Sequence, residues 1–574
     1  MGNSLYQNLR AGLMAALESL KASGALPSDI SFANVVLETP RDATHGDFAT
    51  NAAMVLAKAA AQSPQAIAQN ILPHLQKLPQ VKTAEVAGPG FINIFVHDAD
   101  LFAQAQSIPQ LKNAYGKLDL SGGQKALVEY VSINPTGPIH VGHGRNAVFG
   151  DAIANLLEKA GYPVYREYLM NDAGGQIRVL VRSLHARYLQ LFGQQVEVPA
   201  DGYPGEYVID IAQKLKDLDG DKWLKVTDDE ELFQGLRKFA VDACMDMIKP
   251  DIKTMGITFD NYFSEWDMHQ TSRMPEAVKL LRDKGYVFEG TLPPPKGKEV
   301  KDYRPVELTL FKATAFGLEE DQPIYKRNGE PTYFGQDIAY HYDKLQRGYQ
   351  LLVTVIGAAQ AGSFRPLEKA IEALTGEKGH YHPVPYELVK VLRDGQPVKL
   401  SKRAGNIVLL SDVLAETGAD AFRFTMLTVK PTTLLTFDLA KAVAKNMENP
   451  VFYVQYAHAR LCSVFRQQAE LGLTDLPGLT PQTVTLTPAS RAVLQMLVQY
   501  PLVIELAAKA LEPHRLATYA HQLAGAIHHW YAAEKWLNPE DKAATASALA
   551  VAQAAQTVIA DALALCGVSA PQSM

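Results

Sequence analysis

The stretch from residue 126 to residue 170 constrains the fold more than any other. Ala126-Leu127-Val128-Glu129-Tyr130-Val131 is a short apolar, β-prone run. The next seven residues, Ser132-Ile133-Asn134-Pro135-Thr136-Gly137-Pro138, carry two prolines and a glycine and cannot be helix. Helical spacing then runs from Val141 to about Ala160, and Gly161-Tyr162-Pro163 ends it. Val164–Leu169 reads as the next strand. Strand, loop, helix, strand predicts a βαβ unit in a parallel sheet. Its loop lies at the carboxyl end of the first strand, the edge where open α/β sheets bind ligands.

Alternating β-rich and helical runs continue from about residue 120 to residue 430, and the flanks differ. Residues 1 to about 115 are Ala- and Gln-rich with helical spacing, followed by the apolar strand Gly90-Phe91-Ile92-Asn93-Ile94-Phe95-Val96. From about residue 435 to residue 574 nearly every segment reads as helix, with a Pro/Gly loop near Thr474–Pro488. Three blocks suit a chain of 574 residues. With 47% apolar and 20% charged residues, the composition excludes a disordered tail protein, a collagen-like fibre and a pure coiled coil. No run of about 18 apolar residues occurs, so no membrane span is expected. The amphipathic start, with Glu18 inside it, does not read as a signal peptide. Cys244, Cys462 and Cys566 form no C-x-x-C pair, which argues against a zinc ribbon or disulfide scaffold and fits a reducing cytoplasm. A net charge of −6 is not that of a nucleic-acid protein by bulk, although a local basic track can sit on an acidic body.

Two motifs carry chemistry. His140-Val141-Gly142-His143 opens the helix after the Pro/Gly loop. A helix N-terminus offers free N–H groups and partial positive charge, so it favours phosphate. The two histidines share one side of that turn and can donate to phosphate oxygens, while Gly142 lets a flat base or ribose approach. A zinc site would need further ligands, and no Cys or His cluster supplies them. The second motif, Lys399-Leu400-Ser401-Lys402-Arg403-Ala404-Gly405-Asn406, follows a hairpin: Val389–Arg393, the turn Asp394-Gly395, and Pro397–Lys399. Its cations suit an anion clamp that neutralises a leaving pyrophosphate. Taken singly, each motif also fits a solvated surface feature.

Together the pair resembles the signature of class I aminoacyl-tRNA synthetases, and the surrounding sequence resembles the arginyl-tRNA synthetases, bacterial type. The resemblance rests on Val128 through His143, on Tyr168-Leu169-Met170-Asn171-Asp172-Ala173-Gly174-Gly175-Gln176, on Pro331-Thr332-Tyr333-Phe334-Gly335-Gln336-Asp337-Ile338-Ala339-Tyr340 and on Asn449 through Arg460. His45-Gly46-Asp47-Phe48-Ala49-Thr50-Asn51 and Ala87-Gly88-Pro89-Gly90-Phe91-Ile92-Asn93 resemble that family's extra first domain. It covers essentially the whole chain.

The resemblance implies an α/β Rossmann-like catalytic domain over 116–432, with a helical insertion at about 178–260. It implies an α+β N-terminal domain over 1–115 that contacts the tRNA D-loop, and an all-α anticodon-binding bundle over 433–574. The implied reaction joins L-arginine to tRNA(Arg) in two steps: an arginyl-adenylate forms from ATP, then the 3′-terminal adenosine of the tRNA is acylated. The first step is expected to need bound tRNA. ATP brings Mg²⁺, and no structural metal is expected; a cytoplasmic monomer is implied. His140 and His143 would hold ATP phosphates, Lys399 and Lys402 would grip the β- and γ-phosphates with Ser401 assisting, and Gly142 and Gly357 would lie against the nucleotide. Ser132 and Asn134 would hold the ends of the amino acid, with Gln360 beside them. Tyr333 would pack on its side chain, and Asp337 and Glu265 would bind the guanidinium, whose planar fork of donors is best read by paired carboxylates. Phe91 and Asn93 would meet the D-loop. Tyr453, Tyr456 and Arg460, at i, i+3 and i+7, would meet the anticodon together with Tyr531 and Met574.

One region departs from the family. Many bacterial members read Gly-Ala-Asp-His where this chain has Gly357-Ala358-Ala359-Gln360. Ala359 cannot do the work of the acid expected near the ribose, although Gln360 can still hydrogen-bond. The competing readings are another adenylate-forming nucleotidyltransferase, a synthetase for a different amino acid, and a non-catalytic RNA-binding relative.

Overall fold

The computed structural model describes residues 4–40, 43–293, 306–398, 408–480 and 483–574. It divides into two compact units. One holds Met1–Leu118 together with Asn446–Ala510 and Arg515–Met574; the other holds Asp119–Lys445 with Leu511–His514.

The second unit is built on five strands, β1 Ala126–Glu129, β2 Val164–Met170, β3 Asn261–Ser264, β4 Leu351–Gly357 and β5 Tyr381–Tyr386. They lie in the order β5-β4-β1-β2-β3, all parallel. Val128 of β1 faces Val353 on one side and Arg166 on the other. Chain order reverses between β1 and β4, which makes the crevice outside their carboxyl ends the place for a ligand. Ala126, Leu127 and Val128 are fully buried, as expected of a parallel strand covered on both faces. Helix α1, Val141–Lys159, returns across the sheet. Gly150 sets how closely it packs, because a Cβ there would lie 2.1 Å from the Tyr130 side chain. β1 ends two residues before the expected Val131. Val131 and Ser132 turn into left-handed conformation, φ +65° and +42°, which ends the ladder.

Three helices, Gly175–Leu191, Glu206–Asp219 and Asp229–Thr254, connect β2 to β3, and α2, Tyr333–Gln346, leads into β4. The hairpin Val389–Arg393 with Gln396–Pro397 forms as its sequence predicts, with Asp394 and Gly395 both at positive φ. The expected all-helical character beyond residue 435 fails at its first four residues. Leu435–Asp438 is a strand that runs parallel to Val389–Arg393, with Leu435 and Phe437 buried and Thr436 exposed. Four residues of alternation are too short to stand out beside alanine-rich helices.

The first unit contains an antiparallel sheet in the order Leu37–Glu38, Phe48–Thr50, Phe91–Val96, Val81–Ala87. It also contains four long helices, Pro450–Glu470, Pro488–Ala510, His514–Ala533 and Lys542–Leu565. The second and fourth of these are long and apolar enough to cross a membrane by length and composition, but 61% and 50% of their apolar windows are buried inside the protein. Core helices of a bundle have the same property.

Candidate active site

A continuous cleft runs along the carboxyl ends of β1, β2 and β4. Two cavities of about 550 and 490 Å³ share Asn134, Leu169, Asn171, Gln176, Asp337 and Tyr340. The first opens against the start of α1 and the end of β4, and its lining includes Ser132, His143, Asn146, Gly357, Ala359 and Gln360. The second lies beside α2 and is lined by Glu265, Tyr333 and Asp337. The sequence-predicted groups are therefore divided between its two ends. Gln360 and Gly357 line only the cavity at the α1 end, which Asp337 also reaches, whereas Glu265 lines only the other.

At the α1 end the histidines stack, with ring centroids 3.5 Å apart at 23°. His140 is the N-cap, and its Nδ1 accepts the Gly142 N–H at 3.1 Å. The His143 Nδ1 accepts the His140 N–H at 3.4 Å. Burial lowers the pKa of both; for His143, burial and then His140 bring it to about 3. Both rings are thus neutral at ordinary pH. Since each Nδ1 is an acceptor, the proton of each ring sits on Nε2, leaving an N–H donor at the helix N-terminus. Gly142 has no room for a side chain without disturbing this arrangement, because a Cβ would lie 3.0 Å from the His140 ring.

At the α2 end the charge logic is opposite. Glu265 stands at the start of a short helix directly after β3, and Asp337 is half-buried in the first turns of α2. Burial, then Asp172, raises the Glu265 carboxyl to about 7, and the Ala173 backbone N–H works against the rise. Burial, then Glu129, raises Asp337 to about 7; Lys344 opposes this and Glu265 adds to it. Two buried acids, each raised by burial and by neighbouring carboxylates, leave a pocket suited to a cation. Tyr333 is 81% exposed on the rim, so its ring is available to a side chain entering the pocket.

The loop between the two ends is held in strain. Val131 is β-branched and still has positive φ, and so does Ser132. The Asn146 Oδ1 accepts the Val131 N–H at 2.6 Å, while its Nδ2 donates to the Val355 carbonyl of β4 at 2.9 Å. The Ser132 Oγ accepts the Leu169 N–H at 3.1 Å, and Asn134 donates to Gln176 at 2.6 Å. The sequence did not single out Asn146, and it gave Gln176, the last residue of the Tyr168–Gln176 motif, no role. Their signal was weak, since each is a polar residue on an otherwise regular helix. Lys399, Ser401 and Lys402 lie outside the described residues. Among the described residues no group of His, Cys, Asp and Glu could hold a metal ion.

The remaining candidates belong to the first unit. Tyr453, Tyr456 and Arg460 are half-buried on one face of Pro450–Glu470. Tyr453 stacks on His521 at 4.7 Å, and the Arg460 guanidinium lies 4.8 Å from the Tyr456 ring and 4.5 Å from the Tyr531 ring. Tyr531 is exposed, and Met574 is exposed at the chain's end. Phe91 is half-buried, whereas Asn93 is only 4% exposed within its sheet.

A sheet of this order, with a histidine-capped helix at its switch point and an acid pocket beside it, is the catalytic architecture of the class I aminoacyl-tRNA synthetases. A family model described as tRNA synthetases class I (R), catalytic domain, matches residues 105–461. Arginyl tRNA synthetase N terminal domain matches 7–96, and DALR anticodon binding domain matches 454–574. The chain is 42% identical over 579 residues to the arginine–tRNA ligase of Roseobacter denitrificans and 44% identical over 582 residues to that of Ruegeria pomeroyi, with 100% of each chain covered in both cases. Its fold matches that of Thermus thermophilus arginyl-tRNA synthetase with a TM-score of 0.76, at 22% identity, over 99% of this chain and 100% of that one. The chain belongs to the arginyl-tRNA synthetase family.

Proposed function

We propose that this chain ligates L-arginine to tRNA(Arg), using ATP to form an arginyl-adenylate and then acylating the 3′-terminal adenosine. The observation that carries the reading is the pair Glu265 and Asp337, two desolvated carboxylates in one pocket, each with its pKa pushed to about 7. A guanidinium presents a planar fork of donors and a permanent charge, which such a pair matches and a neutral side chain does not. Tyr333 covers the side chain, and Ser132 and Asn134 hold the α-amino and α-carboxylate end. This points the carboxylate toward the α1 end of the cleft.

There, ATP lies along Gly142 and Gly357, with its phosphates at the N-terminus of α1. The nucleophile is already ionised, so no general base is needed. The Nε2–H donors of His140 and His143 stabilise charge as the carboxylate oxygen bonds to the α-phosphorus and pyrophosphate leaves. Lys399 and Lys402, with Ser401, neutralise that pyrophosphate. Mg²⁺ enters with the nucleotide. Gln360 takes part of the hydrogen bonding that Ala359 cannot supply. Tyr453, Tyr456, Arg460, Tyr531 and Met574 meet the anticodon, and Phe91 meets the D-loop, while the buried Asn93 can act there only by supporting the strand. The enzyme works as a cytoplasmic monomer. D-loop contact, chemistry and anticodon contact are thereby assigned to 1–115, 116–432 and 433–574 in turn.

ATP–pyrophosphate exchange with each of the twenty amino acids, with and without tRNA, tests the reading. Exchange should appear with arginine alone among them, and only when tRNA is present. Exchange driven by a neutral amino acid would overturn the assignment. Exchange with arginine in the absence of RNA would remove only the tRNA dependence.

A further inference from the structure

The motif His45-Gly46-Asp47-Phe48 takes no part in the chemistry, yet Asp47 is among the most fully bonded carboxylates in the protein. Its side chain is 1% exposed. Its N–H donates to the Ile94 carbonyl at 2.9 Å, and its Oδ2 accepts the Val96 N–H at 2.8 Å. Gly46 permits this, since it has φ +98° and a Cβ there would lie 2.8 Å from the Ile94 oxygen. Asp47 is thus tied to Phe91–Val96, the strand that carries Phe91 and Asn93. From the other side Arg491 donates through both Nη atoms, at 3.0 and 3.2 Å, and through Nε to Asp98 at 2.7 Å. Gln495, one turn further along, donates to the same carboxylate.

Arg491 and Gln495 stand on the helix Pro488–Ala510, which is bound in turn to the rest of the bundle. Tyr519 of His514–Ala533 donates to the Met496 carbonyl at 2.8 Å. That helix carries His521 and Tyr531, the neighbours of Tyr453 and Arg460. A path of hydrogen bonds therefore leads from the strand with Phe91 to the helix that faces Tyr453. Tyr6 and Arg10 reach Glu505 on the helix Pro488–Ala510, at 3.0 and 3.3 Å, and give it a second attachment.

We propose that Asp47 and Arg491 form a brace that fixes the span between two tRNA-contacting surfaces, the D-loop strand and the anticodon face, and so act as positioning residues for tRNA. The proposal rests on the ligase reading for the identity of the RNA. A bidentate fork between guanidinium and carboxylate fixes register as well as proximity, which apolar packing alone does not. Removing one partner leaves a buried charge unmatched, so the two surfaces separate only at considerable cost.

The test uses the full chain and two probes, an arginine tRNA transcript and its isolated anticodon stem-loop. Arg491→Met, on the more exposed side of the pair, should raise the Kd for the whole tRNA about tenfold, the scale of residues that touch neither ligand but set their coupling. It should leave the Kd for the stem-loop unchanged, because one surface alone needs no span. Arg491→Lys, which keeps the charge and loses the fork, should fall between. In charging assays KM for tRNA should rise while KM for arginine and ATP stays put. Asp47→Asn, read in the same binding assay, should match Arg491→Met. Equal weakening toward both probes would show local damage to the anticodon face and overturn the brace, as would an unchanged Kd for whole tRNA. Direct binding does not need turnover, so failure of the unaltered chain to charge arginine would count against the ligase reading and leave the brace to be decided by the two Kd values.

Discussion

The two ends of the cleft are both desolvated, and burial pushes them in opposite electrostatic directions. At the start of α1 it keeps His140 and His143 neutral, with pKa values below the ordinary imidazole value. Beside α2 it drives Glu265 and Asp337 toward the neutral acid, with values near 7. The same physical cause, disfavoured charge in a low-dielectric site, thus yields two devices. Neutral histidines are finished donors, since the tautomer is fixed by the helix cap and no proton has to arrive. The acids are unfinished acceptors, which need a cation before both can be ionised. One end is ready before the ligand comes, whereas the other is completed by it.

Citrulline is the strongest way to break that contrast. It has nearly the shape of arginine without the charge, so it would leave the acids unmatched. The unaltered enzyme should discriminate against it by about 10⁴-fold or more in kcat/KM. Asp337→Asn should lower arginine activation heavily and narrow the arginine-to-citrulline ratio, both read in pyrophosphate exchange. An equal loss toward the two amino acids would show that Asp337 does not read the side chain. His143→Ala removes a donor from the finished end. It should cost about 10²-fold or more in the rate of adenylate formation, as for a deleted transition-state donor, with little change in KM for arginine.

A smaller effect sharpens the comparison through pH. Because the acids must be ionised to hold a guanidinium, kcat/KM for arginine should rise with pH up to about 7 and level off above it. The slope below that point is about tenfold per pH unit for a single ionisation. His143, brought to about 3 by burial and then by His140, should add no limb of its own to the profile between pH 5 and 9. The sign for stability is the reverse of that for activity. Raised carboxyl values stabilise the free protein at low pH, and this contribution is lost as pH rises through 7. Thermal stabilisation by added arginine should therefore be greater at pH 8 than at pH 6, and calorimetry at the two values checks it. The mildest case is Gly142→Ala, whose Cβ would press on the His140 ring. It should raise KM for ATP several-fold, by about 1 kcal/mol of disturbed cap, without moving the arginine pH profile.

How far these features could be read from sequence depends on the distance over which each is encoded. The βαβ unit was legible because Pro135, Gly137 and Pro138 break helix locally and the apolar run of β1 is buried on both faces. His140 as a helix-opening residue follows from the same few positions. Asp337 was reachable through the motif around Tyr333, on one helix. Glu265 was harder to place, because it meets Asp337 only after three helices bring β3 to the sheet edge. The strain at Val131 and Ser132 was not legible at all, since it is imposed by Asn146 and Leu169, partners that no local pattern announces. Asp47 was no more legible: its guanidinium lies 444 positions along the chain.

The left-handed pair Val131 and Ser132 bears on any attempt to transplant this site. A loop whose shape comes from its own residues can be grafted onto another sheet as a short cassette. This one is shaped from outside, by the Asn146 amide spanning β1 and β4 and by the hydroxyl of Ser132 on β2. Moved alone, the seven residues from Ser132 to Pro138 would relax to ordinary backbone and point Ser132 and Asn134 elsewhere. The smallest heritable piece of this active site is therefore three strand ends and a helix, and its residues can change only in concert.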